Sequence, residues 1–589
     1  MSDLAASYQA KLAAPRLQSM RMGWSMRSPQ VLVGAFVVAI GFLVCYPVVM
    51  LLLGSFAPPR GVTNVWFSLD GYRTALLDDD ARRAIFTTLW LAVVRATLGV
   101  SLAIFLSWAV TRTNIPGKRV FHNLLILNFF LPLLPQVVAW SLLLSPKSGI
   151  VNVWLRGLLG SDSGSGPFNI YSYGGIIFLG SLGWAGFLYL LLSPAFQAMD
   201  AALEEAARTS GASSWRTVLR ITVPILLPAV LGCFSLAFVR MVESFEIELL
   251  LGTPAHIYVF TTQIYYYIHQ QQLPNYPPAI ALSTVLIVLT LAVIAIQSKL
   301  LGKRSYVTVS GKSYRRTPVD LGPWKWLVFA ILLAFFFIHL AVPLFMLVVG
   351  SLQRTTIDFR MDAFTFDHWK ILRDADVWQS LKNTLVVGLV ASTVGMLLVS
   401  LCSYIVTRTK LPLRRPLDIF TWVPYMVPSF VLSVGFLWAV LKGIPLPFTL
   451  YGTLALLMIA FVVRLLPFGA RLMNGTMVQL SSELEESART LGASWVQSMR
   501  KIVLPLLSPS LAIGWLLCMI TVIRDLSTII LLYGAKSKML AITFYSYWTS
   551  GAIEDAAVIG LFMAMVGLIL VGGIRLLQRH LNVSQQAVI

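Results

Sequence analysis

Apolar stretches of about 20 residues, each enough to cross a bilayer as a helix, alternate with short polar ones along a 589-residue chain. The pattern predicts six spans at 31–55, 84–111, 120–144, 173–196, 223–242 and 279–298. Six more are predicted at 324–350, 381–407, 417–440, 451–474, 503–523 and 556–577. Polar residues fill the gaps: a basic tail over 1–30, a hydrophilic loop to about 83, and a Gly/Ser-rich loop at 161–166. A segment rich in acids and aromatics, read as external, runs on to about 278, and a basic linker covers 299–323. The predicted class is an all-α membrane protein of about twelve helices, with a first half at 31–298 and a second at 324–589.

The second half repeats the first. Pro47, Gly54, Ser55, Thr111-Arg112-Thr113 and Pro116 recur 296 positions later as Pro343, Gly350, Ser351, Thr407-Arg408-Thr409 and Pro412. Six spans, an even number, return the chain to the side on which it began. The repeat is therefore parallel, about an axis along the membrane normal.

Composition agrees with a membrane chain: 57% of residues are hydrophobic and 12% charged, against about 25% charged in soluble domains. The net charge of +20 comes from Lys and Arg in short loops on one face, as the positive-inside rule expects, which argues against nucleic acid. The same rule places both termini in the cytoplasm. No cleavable signal peptide is apparent. Cys45, Cys233, Cys402 and Cys518 sit in apolar runs without metal or disulfide spacing.

Two polar islands break the apolar pattern at equivalent places. LEEAARTSGASSWRTVLRITVP (203–224) aligns without a gap, at an offset of 281, with LEESARTLGASWVQSMRKIVLP (484–505). Each reads as two short helices: Leu, Glu, Ala and Arg favour the first, Gly211 or Gly492 suits a left-handed stop, and Ser213 or Ser214 caps the second. Glu204 and Glu205 are expected near the exposed start of the first helix, with Ala206 offering a small surface to a partner. Glu485, Glu486 and Ser487 are their counterparts.

The pattern E-[AS]-A-x3-G-x9-I-x-[VL]-P resembles the signature of permease subunits of bacterial binding-protein-dependent ABC importers. The resemblance implies the type I importer permease fold, here a fused pseudodimer in the bacterial inner membrane. It implies that the loops at 200–222 and 481–503 are coupling loops, docking on two copies of a cytoplasmic ATPase that bind ATP and Mg. Glu204, Glu205, Ala206 and Gly211, with Glu485, Glu486, Ser487 and Gly492, would carry that contact. It also implies a periplasmic substrate-binding protein. The chain itself shows no ATP site: Gly311-Lys312-Ser313 ends like a phosphate loop, but Tyr306 stands where Gly is needed. No cofactor is expected on this chain.

Ionisable residues at membrane depth cost about 2.5–3.5 kcal/mol each at a helix centre and point to a pathway or an internal pair. Arg240, Glu243, Glu246 and Glu248 cluster after the fifth span, and Arg524 and Asp525 after the eleventh. Glu243 aligns with Arg524, which suggests an ion pair across the axis or part of an external gate; snorkelling at helix ends is the alternative. Arg95, Arg464 and Arg471 are further candidates. FEIELLLGTP (245–254) and RDLSTIILLYG (524–534) look similar to fused permeases of the ferric-iron class, a group that also holds importers of phosphonates and sugar phosphates. Ferric iron is the favoured substrate, with a phosphonate or sugar phosphate second. A secondary transporter also has twelve spans but needs no repeated Glu-Gly-Pro loop, and no motif of a membrane enzyme is present.

Overall fold

The computed structural model describes residues 27–59, 67–130, 132–160, 164–199, 201–302, 318–355, 364–409, 411, 413–443 and 449–580. The tail to residue 26, residues 161–163 of the Gly/Ser loop and the linker over 303–317, with its Gly311-Lys312-Ser313, lie outside the described residues.

The first half is built from α1 (Arg27–Gly54), α2 (Asp70–Leu77), α3 (Asp79–Arg112), α4 (Lys118–Phe130), α5 (Leu133–Leu144), α6 (Ile150–Leu159) and α7 (Tyr173–Ala198). It continues through α8 (Ala201–Thr209), α9 (Val223–Val242), α10 (Phe260–Tyr265) and α11 (Tyr276–Gly302). The second half runs α12 (Trp324–Leu352), α13 (Ala375–Arg408), α14 (Arg414–Met426), α15 (Ser429–Lys442), α16 (Leu454–Gln479), α17 (Glu483–Thr490), α18 (Leu504–Arg524), α19 (Leu540–Thr549) and α20 (Ile553–His580). Among the described residues ten helices are long and apolar enough to cross a membrane, and a bent pair makes an eleventh.

The third and ninth predicted spans are each broken in two. The break falls at Pro132 and at Pro428, which are equivalent in the repeat. Proline lacks a donor and pushes the residue before it out of the helical region. Val427 is accordingly extended at φ −106° and ψ 121°, and α14 and α15 meet at 106°.

The halves interlock. α1 packs on α14 and α15 of the second half, and α12 packs on α5 of the first. Gly54 on α1 lies against the Trp438 indole and its counterpart Gly350 against Leu142, which is equivalent to Trp438. At each place a side chain larger than hydrogen would meet its neighbour, so both glycines permit the crossing. The boundary at 298–324 is therefore one of sequence, not of packing.

The segment after α9, expected on the external side, packs inside the protein. Phe245, Ile247, Glu248, Leu249, Leu250 and Leu251 are all buried, as are Leu526 and Ile529–Leu532 after α18. The run of consecutive apolar residues in each copy explains this, since no face is left for water. Phe245 stacks on Phe430 of the other half with ring centroids 4.4 Å apart. The loop before α3 is only partly a solvated one: α2 occupies it and packs on α11. Asp78 there accepts a hydrogen bond from the Tyr267 hydroxyl at 3.0 Å.

Candidate functional site

Both polar islands fold as expected from their residues. α8 ends before Gly211, at φ +84°, and α17 before Gly492, at φ +86°, a conformation that glycine adopts at little cost. In the second copy Ser494 accepts from the Gln497 amide at 3.3 Å and Gln497 returns the bond at 2.8 Å, a reciprocal cap. In the first copy Ser213 accepts from the Arg216 amide at 3.4 Å. A short helix (Ser214–Thr217 or Trp495–Ser498) and a π-turn (Val218–Thr222 or Met499–Val503) then run into α9 or α18. The π-turns end just before Pro224 and Pro505, whose missing N–H is the physical reason for the widened turn.

The two glutamates of each island divide their tasks. Glu205, Glu486, Ala206 and Ser487 are exposed, as are Gly211 and Gly492. Glu204 and Glu485 were expected at the exposed start of the helix and are instead buried. Arg112, at the end of α3, pairs with Glu204 at 2.8 Å and donates to the Met199 carbonyl at the end of α7 at 3.0 Å. Glu204 also accepts from the Thr222 hydroxyl at 2.8 Å. Arg408 repeats the knot, donating to the carbonyls of Met477 and Leu480 at 2.9 and 2.6 Å and facing Glu485 at 3.7 Å. There the Tyr404 hydroxyl bonds Glu485 at 3.1 Å and accepts from the Trp495 indole at 2.9 Å. One guanidinium thus ties together two long helices and the short helix of the island. In the sequence Thr111-Arg112-Thr113 and Thr407-Arg408-Thr409 mark only the repeat, and the arginine that closes the second span of each half is the one signal there of this knot.

The charged residues gather at the opposite end of α9, roughly 30 Å of helical rise away. Arg240 pairs with Glu243 one turn on, at 3.0 Å, and its guanidinium lies 5.0 Å from the centre of the Tyr425 ring. Glu243 therefore binds within its own helix instead of pairing with Arg524. The contact across the axis belongs to Glu246, whose carboxylate accepts from the Leu526 amide at 3.2 Å and the Ser527 hydroxyl at 3.3 Å. The charge of Glu246 also attracts Arg464 and Arg524. Arg464 pairs with Asp525 and donates to Thr528. Arg471, two turns along α16 from Arg464, stacks over Trp422 at 4.2 Å.

Glu248 leaves this group. With Arg95 it forms an ion pair that is 1% exposed on both sides, joined by Ser244. Neither charge snorkels; each neutralises the other inside the first half. Gly180 of α7 makes the room, because a β-carbon there would collide with the Arg95 guanidinium. Among the described residues no group of three His, Cys, Asp or Glu is placed to hold a metal ion.

An interlocked pair of helical halves, each carrying the same elbow and sharing one charged cluster, defines a membrane permease built as a pseudodimer. Residues 82–304 and 395–583 match the family of binding-protein-dependent transport system inner membrane components, and the chain belongs to that family. It is a fused ABC importer permease of two repeats. It is 27% identical to the ferric transport system permease protein FbpB of Actinobacillus pleuropneumoniae, over 87% of this chain and 73% of that one. A Haemophilus influenzae protein named for ferric transport, FbpB 1, is 30% identical over 79% and 71% of the two chains. A Salmonella paratyphi A protein named for 2-aminoethylphosphonate transport is 24% identical, over 40% of this chain and 87% of that one.

Proposed function

We propose that the chain is the membrane subunit of an ATP-driven importer of ferric iron. A periplasmic binding protein delivers the substrate and two copies of a cytoplasmic ATPase supply the energy. The chain then lies in the inner membrane with both termini in the cytoplasm, holds no cofactor of its own, and leaves ATP and Mg to its partners. The observation that carries this reading is the similarity to ferric permeases across both halves, together with two elbows that present Glu205 and Glu486 on their surfaces. In it, closure of the ATPases pushes on α8 and α17. The Arg112 and Arg408 knots pass the push to α3, α7, α13 and α16, and the cluster from Arg240 to Asp525 parts to admit substrate. Iron is cargo here, and passing it needs no resident metal site.

The cluster itself favours a second reading. Arg240, Arg464, Arg471 and Arg524 stand against Glu243, Glu246 and Asp525, an excess of positive charge that suits an organophosphonate or sugar phosphate. The test is uptake in a strain deleted for this gene and complemented with it. Radiolabelled ferric iron should enter only the complemented cells. Unchanged iron uptake with loss of 2-aminoethylphosphonate uptake would replace the first reading by the second.

A further inference from the structure

We propose that the cleft between the ends of α3, α4 and α7 binds a phosphate-bearing anion. The cleft has a volume of about 530 Å³, within the range of roughly 300–1,000 Å³ usual for ligand pockets. Arg112, Lys118, Arg119 and His122 converge on it, Asn123 and Gln197 add amide groups, and Tyr189 and Phe196 form a buried floor. The Tyr189 hydroxyl holds Nδ1 of His122 at 2.7 Å. No Asp or Glu among the described residues lines the cleft. Arg112 is committed to Glu204, whereas Lys118 and Arg119 pair with no acid among the described residues. Pro318 also lines the cleft. Lys118 and Arg119, sharing a partly enclosed space without an acid, repel one another, and an anion with several oxygens relieves that repulsion while accepting from each donor.

The internal repeat supplies an independent argument. The second half has the same helices, with Arg414 and Arg415 in place of Lys118 and Arg119. But Asp418 replaces His122, Ile419 replaces Asn123, Ala470 replaces Tyr189 and Val478 replaces Gln197. The positive-inside rule accounts for the basic pair in both halves. It does not account for a histidine, two amides and a tyrosine floor in one half only. The fold repeats while the chemistry of this cleft does not, which marks the first copy as a ligand site.

A phosphate group reaches such a place from a phospholipid headgroup or from solution, and two arms separate these sources. In the first, the purified full-length chain in detergent is titrated with inorganic phosphate by calorimetry. In the second, chains reconstituted in nanodiscs of phosphatidylcholine with and without phosphatidylglycerol are examined by native mass spectrometry for retained lipid. K118A/R119A removes the cations, and H122D imports the acid of the second half with the Tyr189 contact still available to it. Both variants should bind at least tenfold more weakly than the wild type, and R414A/R415A should bind as the wild type does. Phosphate binding assigns a soluble ligand; retained phosphatidylglycerol assigns a headgroup. Equal binding by wild type and H122D in both arms, or no binding by the wild type in either, would overturn the proposal.

Discussion

Arg112 and Glu204, 92 positions apart in sequence, meet at 2.8 Å with side chains only 7% and 12% exposed. Removing one member of a buried pair strands the other, at a cost of about 3–5 kcal/mol. Glu204→Ala should therefore lower the thermal unfolding temperature of the purified chain. Glu205→Ala, one residue on and exposed, should leave it within a degree or so. Equal destabilisation by both would mean that the knot does not hold the elbow.

The exposed pair carries the docking reading. Glu205→Arg combined with Glu486→Arg should abolish ATP-driven uptake while the protein inserts and unfolds as before. Uptake at the wild-type rate in that double variant would remove the docking role from these residues.

Gly211 and Gly492 test the elbow through backbone geometry alone. Nothing lies within 4 Å of a β-carbon at either position, so alanine meets no clash. Its cost is the left-handed conformation, about 1–2 kcal/mol per site. Gly211→Ala with Gly492→Ala should keep the long helices, measured by circular dichroism, and reduce transport severalfold by turning the two short helices against each other. Full transport would show that the elbow angle is not needed.

Gly180 is expected to be far less tolerant. Gly180→Ala displaces the Arg95 guanidinium and leaves Glu248 buried without its partner. Gly183→Ala, one turn away, meets only a Leu133 methyl at 3.4 Å. The first variant should express poorly or unfold several degrees lower, and the second should behave as the wild type. Similar unfolding temperatures would sink the seat assigned to Gly180.

Glu246 joins the halves. Glu246→Ala removes the acceptor for the Leu526 amide and the Ser527 hydroxyl and loosens the contact across the axis. Under the importer reading, ATPase activity of the reconstituted complex without substrate should rise. An unaltered basal rate would make Glu246 a packing residue alone.

The sequence by itself determined the class, the repeat and the elbows. Apolar runs of bilayer length leave a chain little choice but helix, because no water remains to bond its backbone. Gly211 and Gly492 declare the elbow by local chemistry, and their constant offset from each other reveals two halves. Local rules also place the breaks at Pro132 and Pro428, although length and hydropathy alone read through them. Tertiary structure decided which charge meets which. Glu204 and Glu205 are neighbours of one type, and only the approach of Arg112 from another helix buries the first and leaves the second in view. Glu243 aligns with Arg524 in the repeat, but in the fold Glu243 is taken by Arg240 and the crossing belongs to Glu246. Arg95 reads as a solitary charge in an apolar helix until folding brings Glu248 to it and Gly180 makes room. Pairings of this kind depend on distances between elements far apart in sequence, and no spacing along a single chain encodes them.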